Sequence, residues 1–199
     1  MSDADRLQFE VLTRQLERMR AMQYAYHRKF FTLLLISTLV AAFCLAFPSR
    51  FTLAFVCFGL VTTGVSAAFL LHFCDFARTH ARALETRLNQ LMGERVLIAS
   101  ELESEYFYPH EQPRFQPILA WPTRFFDFYT LHFCAAWGLM TAYALWRLFV
   151  GLTPGVFLMF LFGWMTWASI NGLYVMIWFR GAAERRMAKT LRTAYGSGD

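Results

Sequence analysis

The chain alternates between long apolar runs and amphipathic runs. Charged side chains and histidine are absent from four stretches, residues 30–47, 51–71, 133–146 and 148–179. A hydrocarbon core about 30 Å thick is crossed by roughly 20 helical residues, so these stretches mark four candidate transmembrane helices. The pattern predicts an all-α integral membrane protein with four transmembrane helices in two hairpins, together with N-terminal and central amphipathic cytosolic helices.

The same pattern divides the chain into six segments. The first apolar run starts after a long segment that contains carboxylates, which is unlike a secretory signal, so we interpret it as a retained span. Four of the 6 prolines fall within residues 106–124, where they favour an extended conformation. The predicted segments are a cytosolic amphipathic helix (1–29), transmembrane hairpin 1 (30–75), a cytosolic stalk helix (76–105), a proline- and aromatic-rich interfacial linker (106–127), transmembrane hairpin 2 (128–179) and a basic cytosolic tail (180–199).

Apolar residues recur in steps of three and four along both amphipathic helices, the spacing by which one helix packs against another. We expect the two helices to pair with each other, with copies in neighbouring subunits, or with both. An amphipathic helix lying on the membrane surface is the alternative. The residues assigned to this pairing and to oligomerisation are Phe9, Leu12, Leu16 and Met19 in the first helix, and Leu84, Leu88, Leu91, Ile98 and Leu102 in the second.

Small residues four positions apart occur on three of the predicted spans, and Ser37 and Ala41 are the pair on the first span. Such spacing lets helix backbones approach closely in lipid. It predicts helix packing at Gly64 and Ala68 on the second span, and at Cys134, Gly138 and Ala142 on the third.

The distribution of positive charge predicts the orientation. Of the 19 Lys and Arg residues, all but Arg50 and Arg147 lie in the two termini and the central segment. By the positive-inside rule these three regions are cytoplasmic. The layout is loosely similar to that of small bacterial membrane effectors, and we expect an inner-membrane location. The net charge of +5 then needs no nucleic acid to explain it, and we expect no nucleic-acid binding.

Two copies of Leu-His-Phe-Cys, at 71–74 and 131–134, place histidines near the predicted cytosolic membrane edge. His72 and His132 on different spans could ligate a haem or a metal, although interfacial or packing histidines are the simpler interpretation. A proton-linked or gating pair of His72 with Asp75, one helical turn away, is a further alternative. Asn171 is the remaining polar or gating candidate, because an amide is costly against lipid and favours a helix contact or a pore.

No phosphate-binding loop, nucleophile elbow or zinc-protease helix occurs in the predicted cytosolic segments. We therefore expect a protein that is not an enzyme, has no catalytic residues and no resident cofactor. The leading hypothesis is a homo-oligomeric inner-membrane channel or membrane-perturbing effector, controlled by a cytosolic protein partner through the cytosolic helices. The alternatives are a b-type haem electron-transfer protein using His72 and His132, and an accessory or scaffold subunit of a larger membrane complex.

Overall fold

The computed structural model describes residues 3–99, 102, 125–179 and 182–195. Regular secondary structure within these ranges is entirely helical, which confirms the all-α prediction. The helices in chain order are α1 (Asp3–Ala46), α2 (Arg50–Met92), α3 (Phe125–Gly151), α4 (Pro154–Phe179) and α5 (Ala182–Tyr195).

Four helices are long and apolar enough to cross a membrane, as the charge-free stretches predicted. They are the candidate spans Arg6–Ala46, Arg50–Met92, Leu131–Gly151 and Pro154–Ile177. The first two are far longer than a bilayer requires, because each also contains residues outside its charge-free stretch. Both parts lie in one unbroken helix, in α1 and in α2 alike.

The chain divides into two compact units. The first contains the described residues of 1–28, 71–125 and 181–199, and the second contains those of 29–70 and 126–180. Helices α1 and α2 each contribute residues to both units, whereas α5 lies in the first.

A short turn joins α1 to α2 in the second unit. The backbone N–H of Thr52 donates to Ser49 Oγ at 3.1 Å, and the backbone N–H of Ser49 donates to Thr52 Oγ1 at 2.7 Å. This reciprocal capping satisfies N–H groups that a helix start leaves without intrahelical partners. Ser49 thus fixes the start of α2 directly after Pro48.

Side-chain hydrogen bonds join α1 to two other helices of the second unit. Thr63 Oγ1 lies 3.3 Å from Ser37 Oγ, which links α2 to α1. Trp137 Nε1 donates to Thr38 Oγ1 at 2.8 Å, which links α3 to α1. Hydrogen bonds between membrane helices contribute about 0.6 kcal/mol on average, so they orient these helices more than they stabilise them.

Helix α4 contacts α2 through aromatic side chains. Trp164 Nε1 donates to the backbone carbonyl of Cys57 at 3.0 Å. Phe58 and Phe160 pack edge to face with their ring centroids 5.8 Å apart. An edge-to-face pair is favourable because the positive ring edge meets the negative face.

The other sides of α4 expose a continuous apolar surface. None of its most apolar stretch is buried in the protein. Large apolar side chains remain exposed along its length, among them Leu158, Met159, Phe162, Ile170 and Ile177. A patch of this extent is rare on soluble monomers and is typical of a surface that lipid or protein covers.

One face of α2 is buried along the whole helix. Its buried residues include a series with seven-residue spacing: Leu53, Leu60, Ala67, Cys74, Ala81 and Leu88. A seven-residue period keeps side chains on one side of a helix that packs against a neighbour. The sequence analysis predicted a packing face on this helix only after residue 76. Leu53, Leu60 and Ala67 show the same seven-residue spacing within the span and could have indicated that the face continues there.

Candidate functional site

A compact apolar cluster joins α1 and α2 in the first unit. Burying a leucine contributes about 1.5–3 kcal/mol relative to leaving it exposed, so the cluster holds the two helices together within one chain. We call it the leucine core; its buried members are Leu12, Leu16, Ala81, Leu84 and Leu88. Partly buried side chains pack around it, namely Phe9, Met19, Leu91, Met92 and Leu97.

The leucine core shows how the apolar faces of the two helices pair. The sequence left open whether the helices pair within a chain or between copies, and the structure pairs them within the chain. Leu84 is 0% exposed and Leu88 1%, so these side chains are already covered without a second subunit. Their assignment to oligomerisation stays a prediction.

An ion pair crosses from α1 to α2 in the same unit. The Arg20 guanidinium donates to the Glu85 carboxylate, whose side chain is only 4% exposed. Removing the partner of a buried charge is strongly destabilising, so this contact favours one register of the two helices. The apolar spacing alone did not predict this ion pair. The one indication in the sequence was an acidic residue, Glu85, directly after the buried Leu84.

Further contacts of the first unit lie near the predicted membrane edge of α2. The rings of Tyr26 and Phe73 stack with centroids 5.1 Å apart and an interplanar angle of 18°. Arg78 donates to the Asp75 carboxylate at 2.8 Å, and the two side chains are 17% and 23% exposed. Asp75 therefore has a cationic partner one turn away on α2. The pairing of His72 with Asp75 stays a prediction.

The two histidines of the repeated tetrapeptide belong to different units. His72 is partly buried on α2 in the first unit, and His132 is exposed on α3 in the second. In the described ranges, no group of three or more His, Cys, Asp or Glu side chains is placed to hold a metal ion. The haem alternative stays a prediction, and an optical spectrum of the purified protein tests it directly.

Helix α2 ends at Met92 rather than at residue 105, which corrects the predicted stalk. Gly93 adopts a φ of +70°, the left-handed conformation that glycine adopts readily after a helix end. Ile98 and Leu102 therefore do not extend the apolar face of α2, and they are 41% and 55% exposed. Gly93 indicated a helix end in the sequence, but the apolar residues that continue beyond it at helical spacing favoured a longer helix.

Asn89 holds the chain that follows this helix end. Its Oδ1 accepts from the backbone N–H groups of Val96 and Leu97 at 3.1 and 2.8 Å, and its Nδ2 donates to the carbonyl of Leu97 at 2.7 Å. One amide side chain thereby satisfies several backbone groups outside regular structure. This folds residues 93–97 back beside α2 and places Leu97 against the leucine core. Of the predicted linker, only residues 125–127 are described, and they belong to α3.

An open cleft of about 480 Å³ lies at this end of α2. Its lining includes Glu85, which pairs with Arg20, and Asn89, which holds the segment after α2. Its charged side chains carry both signs, with Arg82 and Arg95 opposite in charge to Glu85 and Glu94. The lining residues are Arg82, Glu85, Thr86, Asn89, Gln90, Gly93, Glu94, Arg95 and Leu97.

The side-chain amide of Asn171 makes a hydrogen bond within its own helix. Its Nδ2 donates to the carbonyl of Trp167 at 2.9 Å, one turn earlier on α4. This bond lowers the cost of the amide among apolar side chains. The expectation that Asn171 faces a helix or a pore thus loses part of its physical basis, and its gating role stays a prediction.

The small residues of α2 and α3 predicted to pack helices are exposed or half-buried within this chain, and their packing role stays a prediction. No atom comes within 4 Å of where a Cβ would stand on Gly64 or Gly138, so neither marks a close approach inside the chain. Cys134 and Ala142 are exposed and Ala68 is half-buried. The buried side of α3 carries Trp137, Ala144 and Leu148, so a small residue and two large ones share the face that packs.

No family model, curated protein or solved structure matches this chain.

Proposed function

We propose that the protein is a non-enzymatic, homo-oligomeric protein of the bacterial inner membrane that forms or gates a pore, or perturbs the bilayer, under control of its paired α1 and α2 helices. The observation that carries the proposal is that the helices of the leucine core are also two of the four candidate spans. No break separates the two parts of either helix.

The coupling follows from helix mechanics. An α-helix hydrogen-bonded along its length transmits rotation and translation with little loss, whereas a loop would absorb them. The buried face of α2 keeps its seven-residue period from Leu53 to Leu88. A shift in packing at the leucine core is therefore expected to change which face the rest of α2 buries.

The cleft supplies the place where a cytosolic protein partner would act. It is lined by Glu85, which pairs with Arg20, and by Asn89, which holds the segment after α2. A partner that engaged Glu85 would compete with a contact that holds the two helices together. A partner that engaged Asn89 would compete with the bonds that hold residues 96 and 97 beside α2. Such a partner shifts the packing only if it binds one arrangement more tightly than another.

The first test combines a mass with a conductance. The full chain in nanodiscs is weighed by native mass spectrometry, and conductance is recorded after reconstitution in planar bilayers. We expect more than one copy per particle and a conductance that changes in Leu84→Ala but not in Leu7→Ala, an exposed leucine of α1. A strict monomer without conductance in every variant would overturn the proposal.

An accessory role in a larger membrane complex is the second candidate, and the open polar cleft favours it. In that case the chain expressed alone is expected to be unstable or heterogeneous. A single well-defined particle from solitary expression would count against it. Co-purification of a stoichiometric membrane partner that is lost in Asn89→Ala would favour it over the leading proposal.

A further inference from the structure

We propose that α5 binds anionic phospholipid headgroups through the exposed side chains of Arg186 and Lys189. The sequence of the helix, Ala182–Tyr195, contains four basic residues and one acidic residue. By sequence the basic residues are Arg185, Arg186, Lys189 and Arg192, and the acidic residue is Glu184.

Burial along α5 separates its apolar and basic residues. Met187 and Leu191, four positions apart, are half-buried, whereas Arg186 and Lys189, three positions apart, are exposed. Residues three or four apart lie on one side of a helix. The apolar side is thus partly covered by protein, and a basic side remains accessible.

The neighbouring hydroxyl groups do not compete for a ligand. Thr190 Oγ1 donates to the carbonyl of Arg186 and Thr193 Oγ1 to that of Lys189, each at 3.0 Å. Because both hydroxyls bond to their own helix, the cations provide the recognition. A surface of separated positive charges fits an array of phosphate groups better than a single shaped ligand.

Charge and chain connectivity favour lipid over an acidic protein. Only residues 180–181 separate α5 from α4, whose stretch Pro154–Ile177 is a candidate span. The tether keeps the local concentration of headgroups high. Each Lys or Arg near an anionic membrane surface strengthens binding about five-fold, so Arg186 and Lys189 together account for about 25-fold.

The experiment uses the full chain in nanodiscs of phosphatidylcholine alone, or of phosphatidylcholine mixed equally with phosphatidylglycerol. Hydrogen exchange of residues 182–195 is compared among wild type, the double variant R186Q/K189Q, and the charge-matched control R6Q/R18Q on α1. In parallel, native mass spectrometry in a neutral detergent measures the apparent affinity for each lipid.

We expect phosphatidylglycerol to slow exchange in α5 of wild type and control, and the double variant to lose that slowing. The double variant should also bind phosphatidylglycerol about 25-fold more weakly, with its weak phosphatidylcholine binding unchanged. Equal effects of the two double variants, or equal binding of the two lipids, would overturn the proposal. So would slowing by added polyglutamate with none by phosphatidylglycerol, which would assign the surface to an acidic protein.

Discussion

Leu84→Ala tests the leucine core most sharply, because Leu84 is 0% exposed and belongs to the buried cluster. Replacing a buried leucine by alanine removes apolar contacts and leaves a cavity, at a cost of about 3 kcal/mol. Every 1.4 kcal/mol is a factor of ten in an equilibrium. Local opening of the paired helices should therefore become roughly 100-fold more frequent.

Hydrogen exchange of the full chain in nanodiscs measures this opening. Amides of residues 9–20 on α1 and 77–92 on α2 should both exchange faster in Leu84→Ala, because the two segments share the core. Leu7→Ala, at a side chain that is 65% exposed, should change exchange by less than about twofold. Faster exchange confined to α2, or no difference from the control, would refute intrachain pairing.

Three further changes test other contacts. Arg20→Met leaves the carboxylate of Glu85 buried without its cation, and should destabilise the paired helices by about 3 kcal/mol, the lower end for a buried pair because Arg20 is partly exposed. Asn89→Ala should speed exchange in residues 93–97 by the loss of about 1–3 kcal/mol of hydrogen bonding, while the leucine core keeps its protection. Trp137→Phe keeps an aromatic ring but removes the donor to Thr38, and should lower stability to thermal unfolding in detergent by about 0.6 kcal/mol.

Each of these changes has a control and a contradicting result. Combining Arg20→Met with Glu85→Leu should restore most of the lost stability, and no recovery would argue against a direct pair. Gln90→Ala is the neighbouring control for Asn89. Trp146→Phe, at an exposed tryptophan of α3, controls for the loss of an indole, and an equal effect would remove Thr38 from the explanation.

The helices and their apolar faces could be predicted because both depend on local spacing. Burying charge in lipid is costly, so charge-free stretches indicate candidate spans, and they located the four helices that are long and apolar enough to cross a membrane. The three-four spacing of Leu12, Leu16, Leu84 and Leu88 likewise identified the faces that the structure buries. A periodic pattern says which side of a helix packs, whatever its partner is.

The partners and the helix ends depend on contacts that spacing does not encode. Gly93 stops α2 although leucines continue at suitable intervals beyond it, because a left-handed residue ends the helix. The small residues around Gly138 predicted that another helix backbone approaches α3 closely there. The described contact of α3 with α1 is instead made by the indole of Trp137. The pair of Arg20 and Glu85 is separated by 65 positions in the chain, and each helix alone gives no reason to join them.

The most direct test of control by the paired helices is release of a trapped dye from liposomes that contain the full chain. Wild type, Leu84→Ala and Leu7→Ala are compared at equal protein density, with native mass spectrometry confirming that the assembly is unchanged. The proposed coupling predicts that Leu84→Ala alters the release rate and that Leu7→Ala matches wild type. The same release rate in all three proteins, with the leucine core shown by hydrogen exchange to be loosened in Leu84→Ala, would contradict it.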